Sequence, residues 1–521
     1  MKKIMKKINI FISIILLSTF SSCTDWLDLR PESEVVLEDF WQTESQATAV
    51  LSSCYRGLLL DDCVERMVVW GELRSDNVVE GNSSRSDILR ILGVNLTPTN
   101  SYANWGSYYS VINYCNTFLH FAPEVVLKDQ NFTESKLHTY EAEALTIRAL
   151  CYFYLVRAFH EVPLILEPSI SDTQNYDVPK STEREIIDQI IKDLTTARQY
   201  ARLDYGKGAY NKGRVTLNTV YALLADVYLW DEQFANCVDM CDKIILDPKL
   251  ELVEGEKLLN SVFFTGNSIE SIFELQYNKE IQYNRSANIF YGNAGNPYGE
   301  LSFPAYLGKT GLFSPFRYAA SAVKESTKDL RESNFIGTTS NGNGYSIYKY
   351  ALIQCIENAD ETFTPRYRPS ATTVNWVIYR LADIVLMRAE ALVQLNRSEN
   401  DLKEALRMVN KTYLRSNLTA DSLSFVNYNN KGDMEKLVLR ERQRELLFEG
   451  KRWFDLMRLV RRNKDATAML AYISPKLTGD NMQIKKMSIM NGLYFPILKN
   501  ELEINPNLVQ NPFYENSDFL K

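Results

Sequence analysis

"ERQRELLFEGKRWFDLMR", Glu441 to Arg458, sets a dense run of charge beside Leu446, Leu447, Phe448, Trp453 and Phe454. Three readings compete: an active site, a nucleic-acid patch, or a piece of packing. The spacing predicts a helix from Arg440 to Glu449, on which Glu441 and Arg444 sit one turn apart and can pair. Leu446, Leu447 and Phe448 then turn inward, and Gly450 is placed to stop the helix. Trp453, Phe454, Leu456 and Met457 open a second apolar face. No nucleophile or base stands beside these residues, so the stretch reads as packing with partly buried ion pairs.

The rest of the chain fits a large folded protein. It has 521 residues, 45% hydrophobic and 24% charged, enough to bury a sizeable core. A formal net charge of -7 leaves no basic excess to neutralise phosphates, which excludes nucleic acid as the main partner. "MKKIMKK" followed by the uncharged run Ile8 to Phe20 predicts a signal peptide over 1–22, too short to span a bilayer comfortably. Ser21 and Ser22 precede Cys23 as in a lipoprotein processing site. Acylation of Cys23 would anchor the chain without a transmembrane helix.

Eight cysteines, less Cys23, leave an odd number, which argues against a disulfide framework. Cys54 and Cys63 are spaced to pair across a short loop. Cys237 and Cys241, one helical turn apart with parallel side chains, are poorly placed for a bridge.

Apolar residues recur at helical spacing through most of the sequence, as in Leu145, Ala149, Tyr152, Phe153 and Val156, or Leu381, Val385, Ala389 and Leu392. Further helices are predicted near 41–60, 104–121, 181–202, 233–247, 401–415 and 434–449, with "SIFELQY" at 271–277 as a β-prone interruption. From Tyr221 to Pro248, small residues fall where two helices would cross, close to the tetratricopeptide pattern; Leu381 to Tyr413 is a weaker echo. Two such hairpins would stack into a rigid scaffold.

Two stretches lack this period. Tyr277 to Tyr318 is dense in Asn, Gly and Pro, and carries Tyr283, Phe290, Tyr291, Tyr298, Phe303, Tyr306, Phe313, Phe316 and Tyr318. Gly71 to Trp105 is the other. Such segments are either loop layers packed through their rings or ligand surfaces.

Chemistry-bearing motifs fail one by one. His120, His138 and His160 form no metal-ligand spacing, and His160 before Val162-Pro163 marks a helix end. Gly308-Lys309-Thr310 lacks the leading glycine of a phosphate loop. No nucleophile elbow or dinucleotide turn exists. No catalytic residue, metal or cofactor is nominated. Paired carboxylates for glycoside hydrolysis are defined by separation in space and stand as the enzyme alternative.

The opening stretch closely resembles the signature of the SusD/RagB family of surface lipoproteins. The likeness extends to "CTDWLDLRP" (23–31), "EALTIRALCYFYLVRAFHEVPL" (143–164), "YRLADIVLMRAEAL" (379–392) and "YFPILKNELEINPNLVQNPFY" (494–514), in the family's order. Departures are Phe20 in the processing site, and Leu498 and Phe513, where the family tail often has proline and glycine.

The resemblance implies a mostly α fold. Tetratricopeptide-like hairpins (about 104–247 and 375–415) form a scaffold, with a loop-rich ligand-facing part at about 271–375. An N-terminal part (about 23–210) and a C-terminal signature region (about 434–521) complete a single SusD-like domain, 23–521. It also implies an outer-membrane, cell-surface lipoprotein that binds oligosaccharide or polysaccharide and passes it to a SusC-like TonB-dependent transporter, breaking no bond. Capture of peptides or another nutrient, and a protein-only tetratricopeptide-type adaptor, are the alternatives.

Tyrosine rings offer flat faces to sugar C–H groups, while Asn, Asp and Arg hydrogen-bond hydroxyls. The candidate ligand-binding residues, placed by region and chemistry, are Arg74, Asp76 and Asn77 in the first irregular stretch and Tyr283, Asn284, Asn288, Tyr291 and Tyr298 in the second.

Overall fold

The computed structural model describes residues 40–515, apart from 172, 281, 309–313, 317–328, 341–343, 360–362, 370–372 and 478–480. The predicted signal peptide, Cys23, "CTDWLDLRP", Phe313 and Tyr318 lie outside the described residues. The long helices are α1 (Glu44–Leu58), α2 (Asp61–Glu72), α3 (Gly106–Val126), α4 (Glu134–Phe159), α5 (Glu183–Tyr200), α6 (Leu217–Trp230), α7 (Phe234–Ile245), α8 (Leu381–Leu395), α9 (Glu399–Ser416), α10 (Lys431–Leu446) and α11 (Arg452–Asn463).

Local chemistry sets many of these limits. Thr43, Thr182 and Thr216 close capping boxes at the starts of α1, α5 and α6, satisfying amides that have no partner inside the helix. α4 ends at His160, whose φ of 71° breaks the helix just before Pro163. A turn through Glu232, φ 57°, joins α6 to α7, and left-handed Asn396 joins α8 to α9. These are the two hairpins that the tetratricopeptide spacing predicted.

The helices stack in sequence: α1 on α3, α3 on α4, α4 on α5, α5 on α6, α6 on α7, α7 on α8, α8 on α9. The fold is mostly helical, a scaffold in which each element buries its apolar face on the next.

The strands are β1 (Val79–Glu80), β2 (Ser271–Leu275), β3 (Leu301–Pro304), β4 (Ile336–Ser340), β5 (Gly344–Ile347), β6 (Leu352–Glu357), β7 (Phe363–Tyr367) and β8 (Trp376–Arg380). One sheet runs β1-β3-β5-β4, while β2 pairs with β8 and β6 with β7, all antiparallel. β2 is the expected "SIFELQY" strand. Its partner β8 leads directly into α8, so this small sheet ties the scaffold to the loop-rich part.

α2 was not legible as a helix. Cys63 to Glu72 are buried on every side, between α1, α3, α11 and a short helix at Arg285–Tyr291, so no polar face marks the period. The signature departs from expectation in its stop. α10 ends at Leu446, and the chain then turns through Phe448, φ 65°, and Gly450, φ 69°. Gly450 is required by its φ and by contact, since a Cβ on it would lie 2.7 Å from the Met67 carbonyl oxygen; one on Gly71 of α2 would lie 1.9 Å from the Gly450 carbonyl oxygen, so the two backbones touch.

Leu446, Leu447 and Phe448 face the core as expected, and Glu441 pairs with Arg444 at 2.8 Å. The ion pairs are wholly buried. Arg380 bridges Glu270, Glu445 and Glu449 at 2.6–2.7 Å; Arg331 joins Asp329 to Glu441 and Glu445; Arg442 joins Asp383 to Asp455. Burial alone would push the Glu449 carboxyl up, but the Arg380 guanidinium and the Lys349 ammonium outweigh it and hold it below its ordinary range. Such a lattice fixes register among α8, α10 and α11, and losing one partner of a buried pair costs about 3–5 kcal/mol.

Cys54, Cys63, Cys237 and Cys241 are free buried thiols. The Cys54–Cys63 pairing that the spacing allowed is not formed. Cys54 lies inside α1 and Cys63 inside α2, and the Cys54 thiol donates to the Val50 carbonyl one turn back at 3.5 Å.

Candidate ligand-binding site

The two irregular stretches meet. β1, from the first, pairs with β3, from the second, and the Gly81 amide donates to the Glu300 carbonyl at 2.8 Å. Glycines permit the approach: a Cβ on Gly81 would lie 2.3 Å from Gly299 O, and one on Gly299 2.3 Å from Phe290 O. The Glu300 amide in turn donates to Ile289 O. Residues 79–85, 288–290 and 298–301 therefore form one lobe.

Beneath it, five of the sequence-nominated side chains face inward. Asp76 pairs with Arg452 at 2.8 Å and accepts from Gln443. Asn77 donates to Glu72 at 2.7 Å and also accepts from Gln443. Asn284 caps the Arg285–Tyr291 helix and donates to Val374 O. The Tyr291 hydroxyl donates to Phe448 O, and its ring stacks on Tyr350 at 5.6 Å. Arg74 lies between Trp453 and Phe495. These groups hold the lobe to α2, α10 and α11 and present nothing to solvent, because an irregular backbone has to find its partners somewhere inside. Phe290, Phe303 and Phe316 are buried with them.

The remaining nominees differ. Asn288 and Tyr298 are half-buried and lie on the lobe, next to the Ile289–Glu300 contact; Tyr283 is 37% exposed at the far end of the Arg285–Tyr291 helix and is not brought to them.

Neighbours that the sequence reading did not single out complete the surface. Arg85, half-exposed, is gripped by Glu65 at 3.1 Å and Glu300 at 2.7 Å, and its guanidinium lies 5.7 Å from the Phe290 ring centre. Burial pushes the Glu300 carboxyl up while Arg85 pulls it down. Asn82 and Ser83 are exposed in the turn before Arg85. Tyr367 of β7 is half-buried within interaction range of Tyr298, and the Ala294 amide holds the 293–298 loop to Arg368 O beside it. The signal for Arg85 and Asn82 was present in "EGNSSR" (80–85), an exposed polar run within the first irregular stretch.

The surface therefore offers half-exposed rings beside a planar cation and amides, a chemistry for holding polyhydroxyl ligands by stacking and hydrogen bonds. Among the described residues no group of His, Cys, Asp and Glu side chains is placed to hold a metal, and no helix is long and apolar enough to cross a membrane.

Fold and surface together define a tetratricopeptide-like helical scaffold carrying one polar, aromatic lobe. The SusD family model matches residues 314–514, and a second, described as starch-binding associating with outer membrane, matches residues 25–229. The chain belongs to the SusD/RagB family. It is 26% identical to a SusD-like protein, P38, of Formosa agariphila, over 99% of this chain and 100% of that one. Among solved structures, a SusD superfamily protein of Bacteroides thetaiotaomicron aligns with a TM-score of 0.70 at 22% identity, covering 91% of this chain and 99% of the other. One from Parabacteroides distasonis aligns with a TM-score of 0.69 at 23% identity, covering 90% and 99%.

Proposed function

We propose that this protein is a lipid-anchored, cell-surface binding protein of the outer membrane that captures oligosaccharide or polysaccharide and delivers it to a SusC-like TonB-dependent transporter. It performs no bond-breaking step. The observation that carries the reading is the surface on which Tyr298, Asn288 and Arg85, the last held from beneath by Glu300, lie together, mounted on a rigid helical scaffold. The starch-binding description of the family model over residues 25–229 favours a glycan over a peptide. Acylation of Cys23 supplies the anchor. Residues 23–521 form a single domain in this reading, supported by side-chain hydrogen bonds such as Arg452 to Asp76, which join segments 376 residues apart.

Calorimetry on the chain beginning after Cys23, against starch oligosaccharides, other plant and host glycans, and peptide pools, tests it. Tyr298→Ala and Arg85→Ala are each expected to weaken glycan binding about tenfold. Tyr200→Ala, at the exposed C-terminal end of α5, leaves it unchanged. Glycan binding that is equal in all variants would move the site elsewhere and leave the function standing. Binding to peptides alone would make the nutrient a peptide, and silence toward both would favour a protein-only adaptor.

A further inference from the structure

Two buried thiols on neighbouring helices face each other. α1 and α3 pack antiparallel, and contacts at both ends fix their register. At one end Trp41, just before α1, stacks on Phe121 of α3 at 5.5 Å, and the Lys128 ammonium beyond α3 donates to Trp41 O at 3.0 Å. At the other, a Cβ on Gly57 of α1 would lie 2.7 Å from Val111 Cγ2 of α3, so the helices approach closely there. Cys54 stands one turn before Gly57 and Cys115 one turn after Val111, which in an antiparallel pair sets them at the same level. Both lie on the buried stripe of their helix, at 0% exposure.

The thiols are in contact. The Cys115 thiol, within hydrogen-bonding reach, does most to hold the Cys54 thiol well above its ordinary range, and burial adds to it, while Cys151 of α4 reaches Cys54 only through its charge. Facing positions on closely packed helices have Cα atoms roughly 4–6 Å apart, the separation that a disulfide spans. Cys237 and Cys241 are the contrast: their thiols also meet, but on one helix a turn apart, where the geometry opposes a bridge.

We propose that Cys54 and Cys115 are a disulfide-forming pair that staples α1 to α3 when the chain folds in an oxidising compartment. The compartment rests on the cell-surface reading above; the facing of the two thiols does not. The oxidant is itself a disulfide, carried by a thiol–disulfide oxidoreductase or by glutathione. The thiolate of one cysteine attacks it and expels one thiolate, leaving a mixed disulfide. The other cysteine then attacks the protein sulfur of that bond, the Cys54–Cys115 bond forms, and the second thiolate leaves. The two leaving groups take up the two protons that the cysteines release, so the pair loses two electrons and the donor disulfide gains them. The exchange runs while α1 and α3 are still open, since the folded chain seals both thiols from solvent.

The test is thiol counting on the mature chain exported to an oxidising periplasm, acid-quenched and then alkylated in denaturant without reductant. Of the seven cysteines after Cys23, five are expected to take the label, and a non-reducing digest to yield one linked pair of peptides, carrying Cys54 and Cys115. In parallel, reduced and unfolded chain is refolded in a mixture of reduced and oxidised glutathione, which supplies the oxidant whatever the compartment. The same linkage is expected, with a Tm roughly 5 °C above that of chain refolded in dithiothreitol. Cys115→Ala abolishes the linkage and the Tm difference, whereas Cys151→Ala keeps both. Seven labelled cysteines after refolding in glutathione overturn the proposal, as does a bond from Cys54 to Cys63 or from Cys115 to Cys151. A bond that forms in glutathione and is absent from the exported chain overturns its formation in the cell.

Discussion

The hydroxyl of Tyr291 donates to the carbonyl oxygen of Phe448 at 2.9 Å, joining the loop-rich lobe to the left-handed turn that follows α10. A residue chosen from sequence as a sugar platform is thus a fastening inside the fold. Tyr291→Phe leaves a buried carbonyl without its donor and is expected to lower stability by about 1–2 kcal/mol. Tyr291→Ala, which also opens a cavity beside Tyr350, costs about 3–5 kcal/mol. Urea unfolding measures both, and the folded fraction of each variant keeps wild-type ligand affinity.

Gly71→Ala is expected to prevent accumulation of soluble protein. The new methyl would sit 1.9 Å from the Gly450 carbonyl oxygen, and backbone on both sides leaves no rotamer to relieve it. Gly432→Ala is the contrast. It lies in the first turn of α10 with only the Asn430 side chain within 4 Å, and gains helix propensity, so Tm holds or rises slightly. Expression and thermal melts of the two variants separate contact from composition.

Arg380→Met removes the guanidinium that Glu270, Glu445 and Glu449 share at 0–1% side-chain exposure, leaving Glu270 and Glu445 to Arg415, Glu445 to Arg331 and Glu449 to Lys349, and the buried cluster short of one positive charge. A loss of about 3–5 kcal/mol is expected. Adding Glu449→Gln to that background recovers part of it, because the excess negative charge left in the buried cluster is then gone. The interaction energy from the double-mutant cycle is the decisive number.

Two buried groups near Asp76 lower stability around pH 7. Burial pushes the Glu72 carboxyl up to about 7 from 4.5, so the folded state holds a proton that the unfolded state has released, and stability falls as pH rises from about 4.5 to 7. Burial also brings the Lys476 ammonium down to about 7 from 10.5; above that value the unfolded chain is the more protonated form, and stability rises between about 7 and 10. Glu72→Gln flattens the first limb of a urea-midpoint profile, and Lys476→Met flattens the second, each by up to about 1.4 kcal/mol per pH unit.

The scaffold was legible because helical period and turn chemistry act locally. Residues 217–245 and 381–416 announce their hairpins through small residues at the crossings. α2 was missed for the opposite reason: its partners cover it on all sides, and a uniformly buried helix loses the polar stripe that reveals it. At the candidate surface, sequence found the right neighbourhoods and half the right chemistry. Tyr298 and Asn288 emerge on the lobe; Asp76, Asn77, Asn284 and Tyr291 do not, since whether a polar side chain faces solvent or another segment depends on partners hundreds of residues away, as Gln443 is from Asn77. Arg85 and Glu300 belong to different stretches, and only the β1–β3 pairing makes them one feature.

Those distant partners also order the events of synthesis. Arg74 meets Gly492 across 418 residues, and Asp76 meets Arg452 across 376. A chain emerging from the ribosome N-terminus first therefore carries α1 and α2 for most of its translation without the segments that seal them. Loop closure over such lengths is slow, and the early helices wait as open, binding-competent surfaces for chaperones. The last stretch made completes the first, and a nonsense mutation removing only the final thirty or so residues would leave the N-terminal layer unsealed.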